Sequence, residues 1–494
     1  ELLAKLQTMA QSGQIDVNSF HYSDQLFIAY PEEDYKRSND LTHEVFERHG
    51  IPRSRSVFCQ EGQAAAAMAQ RMAEAGYATM VWPKNLWSYQ HGDLPAEPLY
   101  TFGNLHMVQG GKGASFDDGN GLTIETTWTF LDDGELLATG DINPYFPELF
   151  FHDPEEVAAY EQKLLDLEAD GYLITTVDKY VDAVKDLVPP ATPPPLLDGT
   201  WQPNSTGGVQ RWMGGKGLFF QQERDNHVRT VGQQAHRELV VAEFAASSSG
   251  LDAREKLDAA WRMLFLGQVT DASGINPFRG EIQYGLSHMS EAMRLAREVI
   301  RDSKAELGHP FAWFDPVAGD ILAATSLDEP LFTGEASEAP LTLDVRPGDR
   351  DLTETWERLD QTHWRVTLDF GPGEFNEISV TFPGTLEDQL PVALALDDGT
   401  PYLLERAAFT WETFHFALPT GWIGLGDDRF VIKDTGQVHL AAVVERDSGD
   451  VTFVDQTVPP ADAVRWVFHI LDGDSAGSGA GIAQAINTHR ALLR

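Results

Sequence analysis

Two carboxylates, Glu61 and Asp141, stand where this sequence could do chemistry. Glu61 closes the run SRSVFCQE (54–61), and Asp141 closes ELLATGD (135–141). Both runs read as strands, so each acid falls at a predicted C-terminal strand end. In parallel α/β barrels the strand-to-helix loops converge at that end, and reactive groups gather there. Two acids facing one cavity are the minimum equipment for breaking a glycosidic bond. One ionised carboxylate attacks or shields the anomeric carbon; the other, kept protonated by burial, delivers its proton to the leaving oxygen. Asp16, within the strand-like GQIDV (13–17), is a third acid in this set. Asp133 in LDDGE competes with Asp141, but apolar alternation on both sides makes 132–134 a hairpin turn, which puts Asp141 ahead.

The elements that must hold these acids alternate. Residues 13–20 read as a strand and 31–50 as a helix closed by Gly50. Strand 54–61, helix 62–76 and strand 78–82 follow. LTIETTWTF (122–130) and ELLATGDI (135–142) flank the LDDG turn as a hairpin. Helix 153–170, strand 172–177 and helix 178–188 complete the region. Strand–helix alternation of this kind predicts a mainly parallel sheet with helices outside it. PPATPPP (189–195) is a stiff linker. Helices at about 220–247, 252–270 and 284–306 suggest a small bundle, the last with an apolar stripe of Leu286, Met289, Met293, Ala296 and Ile300. From about 318 the pattern turns to short alternating segments such as HWRVTLDF and VRWVFHIL, the signature of an antiparallel β-sandwich. The expected domains are therefore 1–188, 189–317 and 318–494.

With these residues in view, the segment from GQIDV through HYSDQ to SRSVFCQEGQ resembles the second and third signature regions of family 57 glycoside hydrolases. Matched residue by residue, Gly13-Gln14-Ile15-Asp16-Val17 stands for the family's Gly-x-ψ-Glu-ψ strand (ψ apolar). His21 stands for the histidine that follows it, and Glu61 for the nucleophile. The region LLATGDINPYF is similar to the strand that ends in the general acid, matched by Asp141. LDAREKLDAAWRMLFLGQVTDASG resembles the bundle helix shared by families 57 and 38, with Asp271 at its acidic position. The resemblance covers about residues 1–300. It implies an incomplete (β/α)7-type barrel, a helical bundle and a β-sandwich. It implies retaining cleavage or transfer at α-glycosidic bonds of an oligo- or polysaccharide, with no cofactor. The departures are Asp16 for the commoner Glu, Phe58-Cys59-Gln60 where Trp and Pro usually precede the nucleophile, and no counterpart of the family's opening His-bearing strand. The chain begins without Met inside a helical pattern, so the barrel is expected to lack its first strands.

Sugars combine hydroxyl rims with flat C–H faces, so further site candidates are aromatic and polar residues in loops. Trp87 and His91 in NLWSYQHGD, with Trp212 in WMGGKG, are the foremost. A zinc-dependent α-mannosidase-like enzyme is one alternative, for which His21 and Asp24 are the nearest ligand set. A non-catalytic glycan-binding or assembly protein on the same scaffold is another.

The 494 residues carry 76 acids against 36 bases, a net charge of -40. A field of that sign repels nucleic-acid phosphates and anionic lipid, excluding both as expected partners. Lys-poor acidity also suits work in high salt. Cys59 is the single cysteine, and it reads as a small buried residue in a strand. GGKG (110–113) lacks the flanking residues of a phosphate-binding loop, and Asp117, Asp118 and Asn120 fit a Gly-rich turn better than a calcium loop. No secretory pattern opens the chain, so a cytoplasmic location is expected; the oligomeric state is not readable.

Overall fold

The computed structural model describes residues 1–19, 21–25, 30–59, 62–64, 68–129, 154–194, 196, 225–273, 279–307, 312–315, 320–323, 334–374, 377–385, 389–392, 402–405, 413–416, 422–426, 429–433, 441–445, 447–455 and 461–472. Its chain falls into two compact units. The first comprises Glu1–Asn18, Phe46–Phe58 and Met72–Pro193; the second comprises Ser19–Val45, Cys59–Arg71 and Pro194–Arg494. Among the described residues no helix is long and apolar enough to cross a membrane.

The first unit is organised on a four-stranded sheet in the order β1-β2-β4-β3, with β1 Ser56–Val57, β2 Thr79–Trp82, β3 Tyr100–Phe102 and β4 Leu105–Gln109. β2 pairs parallel with both β1 and β4, while β3 returns antiparallel on β4. All four residues of β2 are buried, as a strand covered on both faces requires. The helix Val177–Val184 lays Val181 and Val184 on Val81, Leu99 and Val108 of this sheet region.

Two expectations are corrected here, and a third lies partly outside the described residues. Among the described residues, segment 13–19 forms a single bridge, Val17 to Arg53, and no strand. Residues 172–176 form no strand: Leu173 is 86% exposed, because an apolar run without a neighbouring edge has nothing to pair with. The expected hairpin of 122–130 with 135–142 has its second arm outside the described residues, while its first arm pairs upstream. β6 Thr123–Glu125 lies antiparallel to β5 Ser115–Asp117, and residues 130–142 are outside the described set. The intervening turn is held by Asp118, whose carboxylate accepts the N–H groups of Asn120 and Leu122 at 2.7 and 3.0 Å. These bonds hold its carboxyl below the usual range, so its acidity serves the turn.

In the second unit, three helices, Asp225–Ser249, Arg254–Gly267 and Arg279–Leu307, pack over one apolar cluster. Leu257, Ala260, Trp261, Leu264 and Phe265 recur at helical spacing and all are buried. The expected stripe holds: Met289, Ala296 and Ile300 are buried, and Leu286 and Met293 pack beside them. Gly267 permits the close crossing, since a Cβ there would stand 2.6 Å from Met289 Cγ and 2.9 Å from the Gly285 carbonyl oxygen.

The rest of this unit holds a five-stranded and an eight-stranded antiparallel sheet. Strand His363–Phe370 pairs along its full length with Val464–Leu471, and Val366, Leu368 and Phe370 alternate into the interior. Phe382 and Phe453 from the smaller sheet meet Phe468 from the larger at ring-centroid distances of 5.0 Å each. Both sheets thus contribute to one apolar cluster.

Candidate functional site

The second unit gathers a buried polar network around the residues that flank Glu61 in sequence. The loop Ser23–Gln25 meets the end of the helix Arg254–Gly267. Gln25 forms a bridge with Val269, Ser23 Oγ donates to the Phe265 carbonyl at 2.6 Å, and Thr270 Oγ1 donates to Asp24 Oδ2 at 2.6 Å. From this junction hydrogen bonds run through the interior. Gln63 Nε2 donates to the Gln25 carbonyl at 2.7 Å. Gln25 Nε2 donates to Gln268 Oε1 at 2.6 Å, and Gln268 Nε2 donates to Asp34 Oδ2 at 2.6 Å. Asp34 Oδ1 lies 2.5 Å from His236 Nδ1. Ser38 adds its hydroxyl to Gln25 Oε1 and accepts the N–H of Tyr22 at 2.8 Å.

Gln25, Asp34, Ser38, Gln63 and Gln268 are all at or below 1% exposure, so each bond lies out of water. Buried polar groups are tolerated only when paired, and a complete chain of them fixes one geometry. The network anchors Gln63, two residues beyond Glu61, to the helices Glu32–Arg48 and Asp225–Ser249. Beside it, the buried guanidinium of Arg229 donates to the Tyr30 hydroxyl at 2.8 Å, and Gly232 leaves room for the Tyr30 ring. On the same helices Arg37 pairs with Glu243 through two bonds of 2.7 Å and lies 4.4 Å over the Trp261 ring.

His21 lies in the second unit and is buried; desolvation lowers its pKa to about 3, so the imidazole is neutral at ordinary pH. The Cys59 thiol is likewise buried, pushed well above its usual range by desolvation and then by the charge of Asp24. It is a thiol and no nucleophile. Asp271 belongs to the short 3-10 helix Thr270–Ser273.

Asp16, Trp87 and His91 lie in the first unit. Asp16 Oδ2 accepts the N–H of Asp178 at 3.1 Å, capping the helix Val177–Val184. Trp87 corrects an expectation: it is fully buried, with its indole N–H donating to the Leu94 carbonyl at 3.3 Å. Its ring packs on His91 and Tyr100, at 5.3 and 5.5 Å, so it offers no open face to a sugar. His91 ends the helix Lys84–His91. Glu61, Asp141 and Trp212 lie outside the described residues. Asp34, Gln63, His236 and Gln268 carried no local signal. Each is a polar residue of ordinary type, and only the packing of distant segments makes it buried and paired.

No family model matches the sequence, and no curated protein matches it. A protein in glycosyl hydrolase family 38 from Enterococcus faecalis superposes with a TM-score of 0.58 at 9% identity, over 99% of this chain and 81% of its own. An alpha-mannosidase from the same organism superposes with a TM-score of 0.60 at 9% identity, over 99% of this chain and 82% of its own. A 4-alpha-glucanotransferase from Thermococcus litoralis is a more distant neighbour, with a TM-score of 0.36 at 10% identity over 95% of this chain and 90% of its own. At such identity the first two likenesses speak to architecture alone: the chain shares its fold with these two Enterococcus faecalis structures.

Proposed function

We propose that the chain is a carbohydrate-active enzyme that cleaves or transfers α-glycosidic bonds of an oligo- or polysaccharide with retention. Glu61 is the nucleophile: its carboxylate bonds to the anomeric carbon as the glycosidic C–O bond breaks, and Asp141 protonates the departing oxygen. Asp141 then takes a proton from the incoming water or sugar hydroxyl, which displaces Glu61. The observation that carries this reading is the place of Glu61 in the chain. It follows β1, a strand parallel to its neighbour, by four residues, in a fold shared with a family 38 glycosyl hydrolase. The Gln63–Gln25–Gln268–Asp34 hydrogen bonds support it by fixing the backbone beyond Glu61. The parallel sheet belongs in this reading to a partial barrel, the three helices to a bundle, and the two antiparallel sheets to a sandwich. The test is turnover of α-glucans and α-mannosides by wild type, Glu61→Gln and Asp141→Asn. Wild-type turnover, with a drop of about a thousandfold or more in Glu61→Gln, supports it. A wild type that binds glycan and turns nothing over makes the chain a binding or assembly protein.

The likeness to an alpha-mannosidase brings in one second reading, a mannosidase-like hydrolase for which this chain's own residues would have to hold zinc. Among the described residues no group of three or more His, Cys, Asp and Glu stands together to hold a metal, so that reading draws no ligand set from them. Stoichiometric zinc, lost with activity on chelation, would replace the first reading by the second.

A further inference from the structure

A cleft of about 520 Å³, counting its open mouth, lies in the first unit, and Glu97, Gln109, Lys112, Trp128, Thr176 and Tyr180 are on its walls. The GGKG motif builds one side. Gly110 follows β4, where a Cβ would stand 2.8 Å from Val81 Cγ1; at Gly113 a Cβ would stand 2.6 Å from the Thr126 carbonyl oxygen. The glycines therefore serve close backbone approach, which brings the segment after β6 alongside Ala114 and lays 126–128 on the cleft.

Two polar atoms on these walls are buried with no hydrogen-bond partner among the described residues. Gln109 is 2% exposed; its Nε2 donates to the Gly110 carbonyl at 2.9 Å, and its Oε1 is unmatched. Thr176 Oγ1 is the other: it stands at the N-cap of the helix Val177–Val184 yet makes no cap bond. Buried polar atoms in folded chains are nearly always paired, so two unmatched ones on one cleft point to a ligand.

The walls choose its class. An anion would face Glu97 under a net charge of -40, and the helix N-terminus is already served by Asp16. Lys112 directs its ammonium to the Leu94 carbonyl at 2.8 Å, and a cation would meet it. A neutral ligand with hydroxyls fits. Gln109 Oε1 accepts an O–H, the Thr176 hydroxyl donates or accepts, and Trp128 and Tyr180 supply ring surface for C–H faces. Tyr180 keeps its proton, since burial pushes it up to about 12, and its hydroxyl is tied to the Pro98 carbonyl at 2.8 Å.

We infer that this cleft is a second glycan-binding site, taking one neutral glycosyl unit through Gln109 and Thr176. The inference rests on the glycan reading for its ligand class, and it does not need turnover. The test uses the full chain carrying Glu61→Gln, with maltotriose and mannotriose as separate probes. Hydrogen exchange is followed by mass spectrometry in peptides spanning 106–129 and 173–182, alongside calorimetric affinity. At least one trisaccharide protects those peptides. Adding Thr176→Val or Gln109→Leu weakens that protection about tenfold in apparent affinity, as one lost hydrogen bond to a hydroxyl predicts. Thr176→Val melts with its parent, having no cap bond to lose. Absence of protection there with both sugars overturns the inference, as does protection that both substitutions leave unchanged. Wild-type chain that shows protection without turnover overturns the enzyme reading and keeps this one.

Discussion

Replacing Gln268 by leucine tests the buried network directly. Gln268 is fully buried, and leucine has similar volume, so the substitution opens no large cavity. It removes two hydrogen bonds, the one received from Gln25 Nε2 and the one given to Asp34 Oδ2, both 2.6 Å. The Gln25 amide is left as a buried neutral donor, worth about 1–3 kcal/mol when unmatched, and a charged acceptor costs more. Asp34 keeps His236 Nδ1, which limits that second loss to a part of its full value. The two together come to about 3–5 kcal/mol, offset by about 1 kcal/mol for the added buried methyl surface. The expected net loss is roughly 2–4 kcal/mol, a fall of about 3–6 °C in melting temperature for a unit of this size. Urea denaturation and calorimetry on the full chain measure it. Arg294→Ala is the contrast: Arg294 is tied to Glu291 and Glu298 at the surface, where solvent screening leaves no measurable change. If Gln268→Leu stays within about 0.5 kcal/mol of wild type, the network contributes shape alone and the reasoning about orphaned donors is wrong here. If the network also fixes the segment after Glu61, turnover falls in Gln268→Leu even at temperatures where the variant is fully folded.

Further expectations concern pH, packing and salt. His21 has a folded-state pKa of about 3 against 6.5, so its neutral form stabilises fully above pH 6.5. That stability is lost as pH falls, because the unfolded chain takes up the proton first. At pH 5 the loss is about 2 kcal/mol, and His21→Asn should flatten the slope between pH 7.5 and 5 by that amount in denaturant titrations. Buried His363, lowered to about 4 chiefly by desolvation, adds a loss of the same sign in the same window. Gly384→Ala places a Cβ 1.9 Å from the Gly449 carbonyl oxygen, and Gly449 sits at φ 77°, so the backbone must shift. A loss of about 3 kcal/mol is expected, and a variant that melts with wild type would show that the contact relaxes freely. With 76 acids against 36 bases, self-repulsion weakens the folded state at low ionic strength. Melting temperature should therefore climb between about 0.1 and 1 M KCl, over which the screening length falls from roughly 10 to 3 Å; a flat profile would end the high-salt reading.

What could be read in the sequence follows the reach of each signal. Strand His363–Phe370 was legible because its alternation comes from one face packing on a core, and the structure shows that pattern from Val366 to Phe370. The stripe through Met289, Ala296 and Ile300 was legible for the same reason at helical spacing. Residues 172–176 misled because hydrophobicity alone predicts a strand, while pairing needs an edge, and Leu173 found none. The upstream partner of segment 122–130 was not legible: Ser115–Asp117 is a short run of mostly polar residues, and it is the Asp118 turn that brings it alongside. Trp87 looked like a loop aromatic because its neighbours are polar; only the fold brings His91 and Tyr100 around its ring. Asp34 was least legible. On a helix this charged it reads as one more solvated acid, and its burial depends on Gln268 and His236, more than 200 residues away.

That distance bears on why a polar chain occupies this interior at all. Apolar side chains of similar size would stabilise the same space as well or better, since each polar group gives up water for one partner. Apolar packing, however, tolerates small shifts, while hydrogen bonds of 2.6–2.7 Å between amides and a carboxylate tolerate few. The network joins a loop at Gln25, a segment at Gln63 and two helices, so position rather than stability is the property it supplies. Substituting the whole set together separates the two. A variant with Gln25, Asp34, Ser38, Gln63, Gln268 and His236 all apolar should keep or gain melting temperature and still lose turnover. Loss of fold in that variant would mean the polar groups hold the unit together, and full turnover would mean that the segment beyond Glu61 needs no such anchor.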